Sequence, residues 1–152
     1  MKKLKVGIFG IKRGSSFANL FIINPNTEVV AVCDYDEVFL KNFIRDKEGI
    51  TPYTDYDKFL EHDIDIVVVC NYCTEHAPAA IKALNSGRHV LSEVIACKTL
   101  SEGVELCRAV EKSKKVYMFA ENYCFFSYTQ EMERLYKEGV IGEYLYGECE
   151  YV

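Results

Sequence analysis

The chain has 152 residues, 49% of them apolar and 27% charged, the balance of one ordinary globular domain rather than a disordered segment. Its formal net charge of −5 argues against a general affinity for nucleic acid or for an anionic membrane. No apolar run approaches the ~18–20 residues of a membrane span, and the stretch Val6 to Phe9, broken by Gly7, has no small-residue cleavage site after it.

Leu4–Phe9 is an apolar run that predicts a first strand, closed by a glycine turn from Gly10 to Gly14. Ser15 and Ser16 offer caps for a short helix stopped by Asn24-Pro25-Asn26. Glu28–Cys33 is β-branched and apolar, a second strand ending at Asp34. Asp36 can cap a helix carrying Phe39, Leu40, Phe43 and Ile44 at helical spacing. Gly49 to Pro52 reads as a turn, followed by a short helix with Tyr56, Phe59 and Leu60 and a continuous strand Ile64–Cys70. A helix is expected from about Glu75 to Ser86, with Pro78 in its first turn and Gly87 at its C-cap. Strand His89–Glu93 follows, then a helix Ser101–Lys114 with Val104, Leu106, Cys107 and Val110 on one face, then strand Val116–Ala120. Gln130–Glu138 is helical and stops at Gly139. Tyr144 to Val152 alternates like a half-buried strand.

Apolar strands alternating with helices predict an α/β fold, a Rossmann-type doubly wound parallel sheet covered on both faces. Right-handed crossovers put every strand's C-terminal end on one edge, where ligands bind in such folds. That edge gathers Gly10–Ser15, Asp34, Cys70–His76, Glu93–Ile95 and Glu121–Tyr123. The final strand has nothing to pair with, which suggests a truncated second α/β domain. The expected organisation is 1–124 for the nucleotide-binding domain, with 125–152 as a linking helix and the first strand of a missing substrate domain.

The segment Gly10-Ile11-Lys12-Arg13-Gly14-Ser15 departs from a strict G-x-G-x-x-G, because Lys12 and Ser15 stand where glycines belong. A glycine turn between strand and helix remains, with Lys12 and Arg13 able to meet phosphate charge. Asp34 lies 24 positions after Gly10, near the usual interval of ~20 for the acid that binds an adenosine ribose. A carboxylate there accepts from ribose hydroxyls and repels a 2′-phosphate, favouring NAD over NADP; capping fits Asp36 better.

Cys70-Asn71-Tyr72-Cys73 has the spacing of a redox dithiol, yet no second ligand pair completes a zinc site. A loop lining a cofactor is the preferred reading, and no metal is expected. His76 points at the same edge, while His62 and His89 are expected to face solvent. The seven cysteines, with Cys33, Cys70, Cys107 and Cys149 among apolar neighbours, read as small core residues of a reducing, cytoplasmic compartment.

The chain resembles the glucose–fructose oxidoreductase, inositol dehydrogenase and MocA (Gfo/Idh/MocA) family over essentially its whole length. The likeness rests on Lys5–Gly10 with its glycine turn, Ala31–Asp34, and Ile64–Val69 leading to Asn71 and His76. It continues through Ala83–Glu93, Ala120–Tyr123 and Gly139–Glu143. The resemblance implies a second α/β domain carrying substrate and oligomer contacts, and hydride transfer on sugars, inositols or related polyols. It places the glycine turn at the pyrophosphate of NAD, Asp34 at the adenosine ribose, and Asn71, Tyr72 and His76 at the cofactor's middle. Glu93 and Asn122 would lie near the nicotinamide. The family's usual Glu-Lys-Pro is here Glu93-Val94-Ile95, and valine cannot move a proton. Lys98 is the nearest substitute in sequence.

Three readings therefore stand: an NAD-dependent oxidoreductase, an NAD-using glycosidase acting through transient oxidation, and a non-catalytic nucleotide-binding module. The expected partners are a carbohydrate-like small molecule and further copies of the chain.

Overall fold

Leu4–Phe9 forms β1, buried from Val6 onward, and the strands that follow build outward from it. The computed structural model describes residues 2–150. β1 pairs with β2 (Thr27–Cys33) on one side and with β4 (Ile66–Val69) on the other, all parallel. With β3 (Thr51–Tyr53), β5 (His89–Ser92) and β6 (Tyr117–Phe119), the described sheet has six strands in the order β3-β2-β1-β4-β5-β6. The order reverses beside β1, the switch point at which a crevice opens outside the strands' C-terminal ends.

Helices α1 (Ile11–Ile23) and α2 (Glu37–Ile44) cover one face through Ile11, Ala18 and Leu40 on Val6, Ile8, Val32 and Val68. Helices α3 (Tyr56–Glu61), α4 (His76–Asn85) and α5 (Leu100–Ser113) cover the other, packing Phe59, Ala80, Leu84 and Leu106 on Phe9, Ala31, Val67 and Val90. The register slips between Val6 and Gly7, which pair with Val29 and Ala31. The bulge at Val30 resets the alternation of β2, so Val29 and Val32 share one face with Ala31 and Cys33 on the other.

Several expectations are corrected. α1 starts at Ile11, not at Ser15, because Gly10 itself is the N-cap at φ 86°; the glycine turn is one residue long. Ser15 Oγ bonds back to Lys12 O at 3.3 Å instead of capping. The expected turn at Gly49–Pro52 contains the start of β3, an edge strand that tolerates Pro52. On α5, Leu106 and Ala109 are buried, while Val104 and Cys107 are exposed. Its cap is Thr99, whose hydroxyl accepts from Glu102 N at 3.2 Å.

Only Cys33 and Cys70 of the seven free thiols are buried; Cys107 and Cys149 are exposed. His62 and His89 are half-buried rather than solvent-facing: His62 Nδ1 meets Tyr53 Oη at 2.8 Å, and His89 Nδ1 accepts from Val116 N at 3.0 Å.

The chain divides into two compact units, Met1–Ala120 and Glu121–Val152. The second holds α6 (Ser127–Lys137), three residues longer at its start than expected, with Arg134 bridging Glu131 and Glu138 on its surface. Tyr144 to Glu150 form no strand, since alternation without a partner strand satisfies no backbone groups. Tyr151 and Val152, the end of that expected strand, lie outside the described residues. No helix among the described residues is long and apolar enough to cross a membrane.

Candidate functional site

The sheet edge is shaped first by a close backbone approach. A Cβ added at Gly10 would fall on the backbone of Asn71 and Cys70, so glycine is demanded there by the end of β4 as well as by its φ of 86°. Gly14 lies one turn into α1, where a Cβ would stand 2.5 Å from Ile8 Cγ2. These contacts seat the start of α1 directly over β1 and β4, with its first-turn amides at the crevice.

Asp34 follows β2 and is fixed by local bonds. Its Oδ1 accepts from Asp36 N at 3.0 Å, and its Oδ2 from Lys12 N at 3.3 Å. Asp36 caps α2 through Val38 N and Phe39 N, both at 3.0 Å.

Two cavities open along this edge. The larger, about 480 Å³, is lined by Gly10, Lys12, Asp34 and Tyr72 among others. The smaller, about 220 Å³, is lined by Cys73, His76, Glu93 and Val94. Arg13, Cys70 and Asn71 line both and form the neck between them. Asn71 Oδ1 is buried at that neck without a hydrogen-bond donor.

Glu93 is the hub of the smaller cavity. Its Oε1 accepts from Arg13 Nε at 2.8 Å and from Arg13 Nη2, while Oε2 accepts from Val94 N at 2.8 Å. Its backbone N–H donates to Val69 O at 2.9 Å. His76 is buried beneath, with Nδ1 2.8 Å from Glu93 O and 3.2 Å from Ile95 O, and Nε2 3.0 Å from Asn71 O. One imidazole thus joins the ends of β4 and β5. The pair Cys70 and Cys73 is a buried thiol and an exposed one. Burial, with Glu93 acting in the same sense and Arg13 against it, pushes the Cys70 thiol up to about 12.

Of the sequence-predicted residues, Gly10, Lys12, Arg13, Asp34, Cys70, Asn71, Tyr72, His76, Glu93 and Val94 line one or both cavities. Ile11 is fully buried in the core and Gly14 is packed on Ile8, so each reaches the edge only through its backbone. Ser15 lines neither cavity. Asn122 belongs to the second unit, just before a short turn of 3-10 helix at Tyr123–Phe125. Lys98 lines neither cavity and faces Glu102 at 3.6 Å and Glu75 at 3.9 Å. Sequence reasoning missed Tyr35, Glu75, Pro78 and Lys82 in the larger cleft. The last three share a helical spacing along α4 that would have placed them together.

With the crevice, the switch point and the strand order in hand, comparison with known proteins is decisive. A model of the Gfo/Idh/MocA oxidoreductase family, NAD-binding Rossmann fold, matches residues 4–121. The chain belongs to this family. Curated relatives of this Gfo/Idh/MocA chain include glycosyl hydrolase family 109 protein 2 of Shewanella sp. (strain ANA-3), 28% identical over 163 aligned positions. The glycosyl hydrolase family 109 protein of Shewanella pealeana is 29% identical. Each alignment takes in 100% of this chain and 36% of the relative, so the chain spans about a third of their length.

Solved structures with the same fold include myo-inositol 2-dehydrogenase from Lactobacillus plantarum, with TM-score 0.85, 21% identity, and coverage of 93% of this chain and 43% of that one. The WlbA dehydrogenase from Chromobactrium violaceum, in complex with NADH and UDP-GlcNAcA, has TM-score 0.85, 22% identity, and coverage of 93% and 42%. The chain is thus an NAD-binding Rossmann domain of an oxidoreductase family.

Proposed function

We propose that this chain is the NAD(H)-binding part of an oxidoreductase that moves hydride to or from a sugar, inositol or related polyol. One observation carries the reading. Asp34, the start of α1 and the orphaned Asn71 Oδ1 follow one another along two joined cavities, in the order in which a dinucleotide presents ribose, pyrophosphate and ribose. Bound there, NAD supplies the hydride acceptor or donor.

The chain's own groups bind and orient. Asp34 accepts from the adenosine ribose hydroxyls, and its charge disfavours a 2′-phosphate. Amides of Ile11 and Arg13 face the pyrophosphate, with the Lys12 ammonium beside them, while the Lys12 amide is given to Asp34 Oδ2; the Lys12 ammonium makes no ion pair among the described residues. Asn71 Oδ1 accepts from a hydroxyl or amide of the nicotinamide half, Tyr72 and Cys70 flank the neck, and Glu93, Val94 and His76 wall the far cavity. Val94 takes the place of the family's lysine, so the proton-transfer groups belong to residues beyond this domain.

The experiment is a titration with NADH and NADPH, following nicotinamide fluorescence and melting temperature. Stabilisation by NADH above that by NADPH supports the reading, and binding of neither removes it.

A second reading is favoured by a specific observation. Val94 removes the lysine, and relatives of this chain bear the name glycosyl hydrolase family 109. In that case the sugar would pass a hydride to bound NAD, the glycosidic bond would break in the oxidised sugar, and the same hydride would return to the sugar before its release, leaving the cofactor as NAD. Sugar release without net NADH formation distinguishes it from a dehydrogenase. The free thiols support a reducing, cytoplasmic setting. Self-association of the whole protein belongs to the same proposal, and sedimentation checks it.

A further inference from the structure

Arg13 stands in the first turn of α1, at the neck shared by both cavities. Its guanidinium reaches across the sheet edge to a residue 80 positions away, giving Nε and Nη2 to Glu93 Oε1. The two ends of this pair differ: the Arg13 side chain is 59% exposed and that of Glu93 only 8%. Glu93 is also anchored by Val94 N, Val69 O and His76. The carboxylate is therefore fixed, and the guanidinium, lying 5.9 Å from the Phe17 ring centroid, is the partner able to move.

We propose that Glu93 governs dinucleotide affinity by holding Arg13 away from the pyrophosphate. The inference rests on the proposed placement of NAD along the two cavities. One guanidinium faces two anions there: the fixed carboxylate behind it and the diphosphate that would lie at the start of α1. While Glu93 neutralises Arg13, the neck carries no net charge from this pair. Binding gains from Arg13 only as far as the phosphates draw it off the carboxylate. Removing the Glu93 charge while keeping its shape leaves a full positive charge at the neck.

Glu93→Gln keeps one acceptor oxygen for Val94 N and turns an NH2, which only donates, toward Arg13 in place of Oε1. It should tighten NADH by about three- to tenfold, the size expected of one unit charge at partly solvated range. Adenosine, which has no phosphate, should bind Glu93→Gln and the wild type alike. Adding Arg13→Gln to Glu93→Gln should abolish the gain.

A measurement on the wild-type chain needs no variant to fold. The Arg13 Nε–H resonance should shift on addition of NADH and stay in place on addition of adenosine. Equal or weaker NADH binding by Glu93→Gln with adenosine affinity retained, or an Arg13 resonance indifferent to NADH, overturns the inference while leaving the nucleotide reading intact. A wild-type chain that binds neither NADH nor adenosine overturns both.

Discussion

Gly10 and Gly87 share a φ of +86° but sit in opposite surroundings, so alanine at each separates two costs of losing a glycine. At Gly87, past the end of α4, a Cβ meets nothing within 4 Å, and only the left-handed backbone is penalised, by about 1–2 kcal/mol. At Gly10 the same penalty is joined by a Cβ driven onto the backbone of Asn71 and Cys70, which cannot swing aside as a side chain would. Forced repacking of that kind adds about 1–3 kcal/mol, so Gly10→Ala should cost about 2–5 kcal/mol.

For a chain of this length each kcal/mol lowers the melting temperature by about 2–4 °C. Thermal unfolding followed by circular dichroism should show Gly10→Ala melting about 4–20 °C below wild type, and Gly87→Ala only about 2–8 °C below. Gly10→Ala should also lose NADH binding, because the start of α1 is pushed off β4. Equal losses at the two positions would refute the close approach of β1 and β4 on which the site is built.

Burial pushes the Cys33 and Cys70 thiols from an ordinary 9.0 up to about 12. The stability that this represents is complete below pH 9 and is lost as pH rises toward 12. The slope is about 1.4 kcal/mol per pH unit for each thiol, and urea unfolding between pH 8 and 11 measures it; Cys33→Ala with Cys70→Ala should flatten it. Under native conditions at pH 8 a thiol reagent should label Cys73, Cys107, Cys124 and Cys149 quickly and spare Cys33 and Cys70 until denaturant is added. His76→Ala removes the imidazole whose Nδ1 faces the carbonyls of Glu93 and Ile95 and whose Nε2 faces that of Asn71; chemical denaturation should show a loss of about 2–4 kcal/mol. Asp34→Ser removes the charge that opposes a 2′-phosphate, and paired titrations should show the preference for NADH over NADPH falling about tenfold.

β1, Asp34 and Asp36 were legible because each stands where local chemistry has one solution: an apolar run ending in glycine, then a carboxylate before a helix. The start of α1 was not. Gly10 caps without a side chain, and Ile11 reads equally well as strand or helix while being buried in either. β3 is three residues long and holds a proline, which leaves period-two patterning nothing to register. Tyr144 to Glu150 alternate without forming a strand, since pairing depends on a neighbour that alternation cannot supply. Arg13, at the neck of the site, is held by Glu93, 80 residues away. Their meeting follows from α1 starting and β5 ending at one sheet edge, a fact of topology that no local pattern carries.

The central claim is that NAD lies along the C-terminal edge of the sheet, from Asp34 past the start of α1 to Asn71. Backbone amide resonances recorded during an NADH titration test it most directly. The account predicts that Ile11, Lys12, Arg13, Tyr35 and Tyr72 shift together with one affinity while amides at the opposite ends of the strands, such as Lys5 and Asp65, stay fixed. Shifts confined to other surfaces, or none at saturating NADH, would contradict it.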